Sequence, residues 1–126
     1  MAESGNMFFE KPRYQTVVET SAFLRDCEGT LETNEVEELI DFLARNPEAG
    51  DIIPETGGIR KVRWAALGKG KRGGARVIYY THSAAMPLYL LAVYSKGEKL
   101  DLKPSEKKMM RGLVDRLLQA NFSAKR

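Results

Sequence analysis

The hydrophobic period of this chain changes from about 3.6 residues to 2 near Ile59, and that change limits the folds open to it. Before it, Val36, Leu39, Ile40 and Leu43 fall at i, i+3, i+4 and i+7. They predict a helix capped by Asn34 with Glu37 three residues on, and ended by Asn46-Pro47. After it, GIRKVRWA puts Ile59, Lys61, Arg63 and Ala65 on one strand face and Arg60, Val62, Trp64 and Ala66 on the other, with Val62 and Trp64 marking the core side. ARVIYYTH continues as a strand with Val77 and Tyr79 opposite Arg76, Ile78 and Tyr80. PLYLLAVYSK is apolar on both faces until Tyr94 and Lys96, as a central strand is.

The flanks complete the pattern. QTVVE (15–19) predicts a short first strand, and a helix from about Ser21 to Glu28 stops at Gly29. A last helix from about Ser105 carries Met110, Leu113, Val114, Leu117 and Leu118 at helical spacing. The order strand, helix, helix, three strands, helix predicts an α+β domain: an antiparallel sheet of about four strands with helices mainly on one face. Residues 1–14 are expected to be a mobile extension and 15–126 a single domain.

Within the strand region, the seventeen residues from Arg60 to Arg76 hold seven Lys or Arg and no Asp or Glu. The net charge of +3 hides this concentration. Up to Glu55 the chain has 4 Lys/Arg against 13 Asp/Glu, net −9; from Thr56 it has 16 against 4, net +12. Mutual neutralisation of the two halves is the ordinary explanation of such a split. Cations concentrated on strands and a Gly-rich loop point instead to a fixed surface for a polyanion, with nucleic acid the leading ligand.

Other chemistries have little to stand on. One Cys (Cys27) allows no internal disulfide, and one His (His82) leaves too few soft ligands for a usual zinc site. No window approaches a membrane helix, and MAESGNMFFEKPR lacks the apolar core of a secretory signal, so a cytoplasmic protein without membrane partners is expected. Gly68 to Gly73 matches GxGxxG, but a dinucleotide site needs a helix after the loop and a strand follows. What remains is a plain flexible hairpin loop or one shaped to approach a phosphate backbone, and three cations among its six residues, Lys69, Lys71 and Arg72, favour the second. Lys61 and Arg63 share a face, and a cooperative hairpin register brings Arg76 beside them. Such cations repel one another unless an anion is bound. Trp64, Tyr79, Tyr80 and Tyr89 are expected in the core; Tyr94, near a polar strand end, could stack on a base. Cys27 reads as a buried small hydrophobe, His82 as a surface residue, and Glu35, Glu37, Glu38 and Asp41 as a solvated helix face.

The segments GGIRKVRWAALGKGKRGGARVIYY and YLLAVYSKGEKLDLKPSE resemble the RelE/HigB superfamily of toxins from bacterial type II toxin–antitoxin modules, in its HigB-like branch. The resemblance covers about residues 15–120 and is strongest from Gly57 to Glu106. It implies a microbial RNase-like RelE fold and a metal-independent endoribonuclease, without cofactor, that cuts messenger RNA in the ribosomal A site. It further implies an antitoxin partner, a helix-turn-helix DNA-binding protein, and a toxin–antitoxin complex on operator DNA. Carried over by motif, the catalytic positions are Lys61, Arg63, Arg76 and Lys96. The C-terminal tyrosine of some relatives has no match at LDL around Leu102, which leaves Tyr94 as the substitute candidate.

These residue types suit RNA cleavage. A 2′-hydroxyl attacks the adjacent phosphorus in line, a dianionic phosphorane forms, and the 5′-oxygen is protonated. Arg63 and Arg76 can supply donors to the non-bridging oxygens, and Lys61 or Lys96 with a depressed pKa could act as base or acid. The alternative is a non-catalytic nucleic-acid-binding module whose basic hairpin only holds backbone; it binds tightly and with salt sensitivity but yields no cut product.

Overall fold

The computed structural model describes residues 14–64, 74–95 and 102–122. Along them run β1 (Val17–Glu19), α1 (Ser21–Cys27), α2 (Thr33–Arg45), β2 (Asp51–Ile52), β3 (Arg60–Trp64), β4 (Ala75–Tyr80), β5 (Leu88–Ser95) and α3 (Pro104–Phe122). The strands form one sheet in the order β1-β5-β4-β3-β2. The chain is α+β, as the change of period predicts. No helix among the described residues is long and apolar enough to cross a membrane.

The sheet departs from expectation in three respects. It has five strands, because Asp51–Ile52, in a segment rich in turn formers, pairs antiparallel with β3. Two residues are too few to display a period. It is mixed, because β1 pairs parallel with β5, Val17 opposite Leu88 and Glu19 opposite Leu90. The other three pairings are antiparallel. Finally, the helices take both faces. Phe23, Leu39 and Leu43 of α1 and α2 pack with Val77, Tyr79, Leu88 and Leu90, while Val114 of α3 packs with Ile78, Tyr80, Leu91 and Tyr94 on the other side. Alternation along β4 demands this. Val77 and Tyr79 project one way and Ile78 and Tyr80 the other, all four are buried, and each face needs a cover.

A register shift between β4 and β5 at Ile78/Tyr79 lets both Leu91 and Ala92 join the α3 side. Central position explains why β5 is apolar throughout: it lies between β1 and β4.

Local chemistry fixes the helix ends. Thr20 caps α1 by accepting from the Phe23 N–H at 3.2 Å while its hydroxyl donates to Leu90 O at 2.8 Å, tying the helix to β5. Gly29 at φ +77° ends the turn after α1 in a left-handed conformation that a side chain resists. Helix α2 begins earlier than the Asn34 cap predicts. Its cap is Glu32, joined to Glu35 in a reciprocal capping box, with the Glu32 N–H donating to Glu35 Oε1 at 2.8 Å. Glu35 is therefore buried and not part of the solvated acidic face, whereas Glu37, Glu38 and Asp41 are exposed. At the start of α3, Pro104 occupies the first helical position and Glu106 Oε1 accepts from the Lys103 N–H at 2.8 Å.

Candidate functional site

Strand β3 supplies the first two cations and β4 the third. Arg63 lies directly opposite Arg76, and Arg76 opposite Tyr94 of β5, so the three form one row across the sheet. One step along, Asp51, Lys61, Ile78 and Ala92 form the next row. Directly opposed side chains in an antiparallel pair have Cβ atoms about 5 Å apart. The expected grouping of Lys61, Arg63 and Arg76 on one face is therefore present. It lies on the α3 side of the sheet, beyond Ile78 and Tyr80, which α3 helps to bury.

These residues open into a concavity of about 450 Å³ lined by Ala49, Asp51, Lys61, Val62, Arg63 and Arg76. Arg63 is exposed, and Lys61 and Arg76 are half-buried. The cluster is not free of acid. Asp51, in the two-residue strand β2, stands in register with Lys61, so among the described residues the concavity is lined by three cations and one carboxylate. Arg63 faces Arg76 at cross-strand distance, a spacing at which two guanidinium groups can share one anion.

The wall formed by Ala49 to Asp51 is held by a separate network. Tyr79 is fully buried; its hydroxyl accepts from the Gly50 N–H at 2.8 Å and donates to Pro47 O at 2.8 Å. Burial pushes its pKa up, so it stays a neutral donor. Arg60 projects to the α2 side, as alternation predicts, and its Nη1 donates to Gly50 O at 2.7 Å and Glu48 O at 3.2 Å. It is a structural cation. Between β2 and β3 the buried Thr56 hydroxyl donates to Ile53 O at 2.7 Å and accepts from the Ile59 N–H at 3.0 Å, closing the loop that sets the β2 register.

The remaining candidates fall elsewhere. Tyr94 shares the row of Arg63 and Arg76, but it is 6% exposed and its hydroxyl is withdrawn from solvent. Its ring belongs to the core under α3 and offers no face for a base to stack on. Lys96, Lys69, Lys71 and Arg72 lie outside the described residues. Trp64 is half-buried, its ring centroid 5.2 Å from that of Phe42 and its indole N–H donating to Glu35 O at 3.2 Å. Tyr80 is buried and Tyr89 half-buried. His82 is exposed, near the Tyr80 hydroxyl and the Phe122 ring. Burial pushes the Cys27 thiol up to about 11, with Glu19 and Asp26 adding to the effect, so at neutral pH it is no nucleophile.

Sequence reasoning missed Asp51 and Ala49 as parts of the site. Both reach it through the short β2 strand and the Gly50 turn, and cross-strand register is the only signal that connects them to Lys61. No family model matches the chain.

Proposed function

We propose that this chain is the toxin of a bacterial type II toxin–antitoxin module, an endoribonuclease of the RelE/HigB kind that cuts messenger RNA on the ribosome and stops translation. The single observation that carries this reading is the juxtaposition of Arg63 and Arg76 across the β3–β4 pair, with Lys61 on the same face and a concavity over them. Two opposed guanidinium groups on rigid strands suit a scissile phosphate: they contact its non-bridging oxygens in the ground state and bind more strongly as the second negative charge develops.

The remaining steps follow from the same face. Lys61, in register with Asp51, is the donor on this face that can protonate the departing 5′-oxygen. Asp51 is the acceptor nearest in register and takes the proton of the attacking 2′-hydroxyl. The reaction yields a 2′,3′-cyclic phosphate and a 5′-hydroxyl, with the nucleophile and leaving group both from the RNA. Lys69, Lys71 and Arg72 grip the RNA backbone. Ribosome and messenger are then the working partners, a helix-turn-helix antitoxin the inhibitor, and the cytoplasm the compartment.

The test is to express the chain and its Arg76→Ala variant in growing cells and map new RNA 5′ ends. The native chain arrests growth and produces new ends. Arg76→Ala lowers cleavage by about 100-fold or more, the scale of losing one donor to a developing anion, and it leaves the fold intact. Full toxicity of the variant would refute the assignment. Tight RNA binding with no new ends would leave the non-catalytic module in its place.

A further inference from the structure

A second concavity lies against the first on the other side of β3. It measures about 550 Å³, and Asn34, Glu38, Phe42, Val62, Arg63 and Trp64 are among its walls. The two share Ala49, Val62 and Arg63. Alternation explains the arrangement: Lys61 and Arg63 project to the α3 side, Val62 and Trp64 to the α2 side, so a ligand crossing β3 at Val62–Arg63 passes from a cationic site into an aromatic one.

The second site has the parts of a nucleobase pocket. Phe42 and Trp64 give aromatic surface, and the indole is pinned because its N–H donates to the Glu35 carbonyl. Glu38 and Asn34, both exposed on α2, stand on the same wall with side-chain acceptors. A carboxylate accepts only. Guanine presents two parallel donors, N1–H and the 2-amino group, on its Watson–Crick edge, and one carboxylate takes both. Uracil shows one donor flanked by two carbonyl oxygens that a carboxylate repels; adenine and cytosine each pair an amino group with a ring acceptor.

We propose that this groove is a nucleobase subsite that prefers guanine in the nucleotide next to the phosphate held by Arg63 and Arg76, with Glu38 the specificity-determining residue. The proposal rests on the ribonuclease reading for its ligand class and extends it to sequence preference.

Trp64 is the chain's single tryptophan, so its fluorescence reports on this groove alone. The full chain is titrated at low salt with the 5′-monophosphates of guanosine, adenosine, cytidine and uridine, and with inorganic phosphate. Guanosine monophosphate quenches with a Kd about tenfold below that of uridine monophosphate, the scale of a bidentate base contact. Inorganic phosphate changes the signal little. In Glu38→Ala, which replaces an exposed helical residue by a better helix former, the preference falls to about twofold or less. An unaltered preference in that variant, or equal quenching by all four nucleotides, overturns the proposal. No response to any nucleotide does so too and leaves the groove to a protein segment. RNA cleavage by the same preparations separates the two readings. Cutting without a guanine response refutes the subsite alone, and a Glu38-dependent guanine response in a chain that cuts nothing refutes the ribonuclease alone.

Discussion

Burial decides the chemistry of the individual side chains here more than residue type does. Cys27 sits at the end of α1 with its thiol pushed up to about 11 from 9.0, first by desolvation and then by the Glu19 and Asp26 carboxylates. The nucleophile in alkylation is the thiolate, so a thiol held this high has a thiolate population near pH 8 roughly a hundredfold lower. Iodoacetamide at pH 8 is therefore expected to label native Cys27 about a hundred times more slowly than the urea-unfolded chain, followed by mass spectrometry. Equal rates would mean that the thiol is not held in this environment. Tyr94 makes the same point from the opposite side. Its place in the row of Arg63 and Arg76 follows from strand periodicity, but its burial under α3 does not, because that depends on a helix that starts nine residues after β5.

At the level of elements, the β2 turn shows how a weakly marked segment can hold a site together. Gly50 packs so closely that an added Cβ would lie 2.6 Å from Lys61 O and 2.9 Å from the Tyr79 ring and hydroxyl. Neither neighbour can yield: one is backbone of β3, the other a fully buried ring. Gly50→Ala is expected to lose about 1–3 kcal/mol of stability in urea titration, the usual cost of overpacking. It also moves Asp51 away from Lys61 and weakens RNA binding. A variant as stable as the native chain would mean that the turn relaxes freely. The same segment marks the limit of what the sequence makes legible. The long β3, β4 and β5 strands and the apolar stripe of α2 repeat often enough to be recognised, and the Lys61–Arg63–Arg76 grouping follows from alternation plus hairpin pairing. Strand β2 is two residues long, the Glu32–Glu35 box uses a residue that is rarely a cap, and the parallel β1–β5 pairing joins segments some seventy residues apart. None of these leaves a periodic trace, and Asp51 was hidden with them.

For the molecule as a whole, the sheet separates two kinds of surface. Exposed acids Glu37, Glu38 and Asp41 lie on α2, while Lys61, Arg63 and Arg76 lie on the opposite face, with Lys108, Arg111 and Arg116 exposed on α3. Net charge alone therefore says little about RNA affinity, and the number of cations that neutralise phosphates has to be measured. Salt dependence does this, because binding to single-stranded nucleic acid falls with a slope of about −0.7 per phosphate contact in a plot of log K against log salt. If only Lys61, Arg63 and Arg76 touch the backbone, the slope is about −2; with Lys69, Lys71 and Arg72 it is about −4. The proposed division of labour predicts the steeper value for a short unstructured RNA, measured by fluorescence anisotropy, and a return to about −2 when Lys69, Lys71 and Arg72 are all replaced by Ala. A native slope near −2 would remove the Gly-rich loop from the interface and leave the sheet cations as the whole of the backbone contact. A slope near zero would remove RNA itself as the ligand of this face.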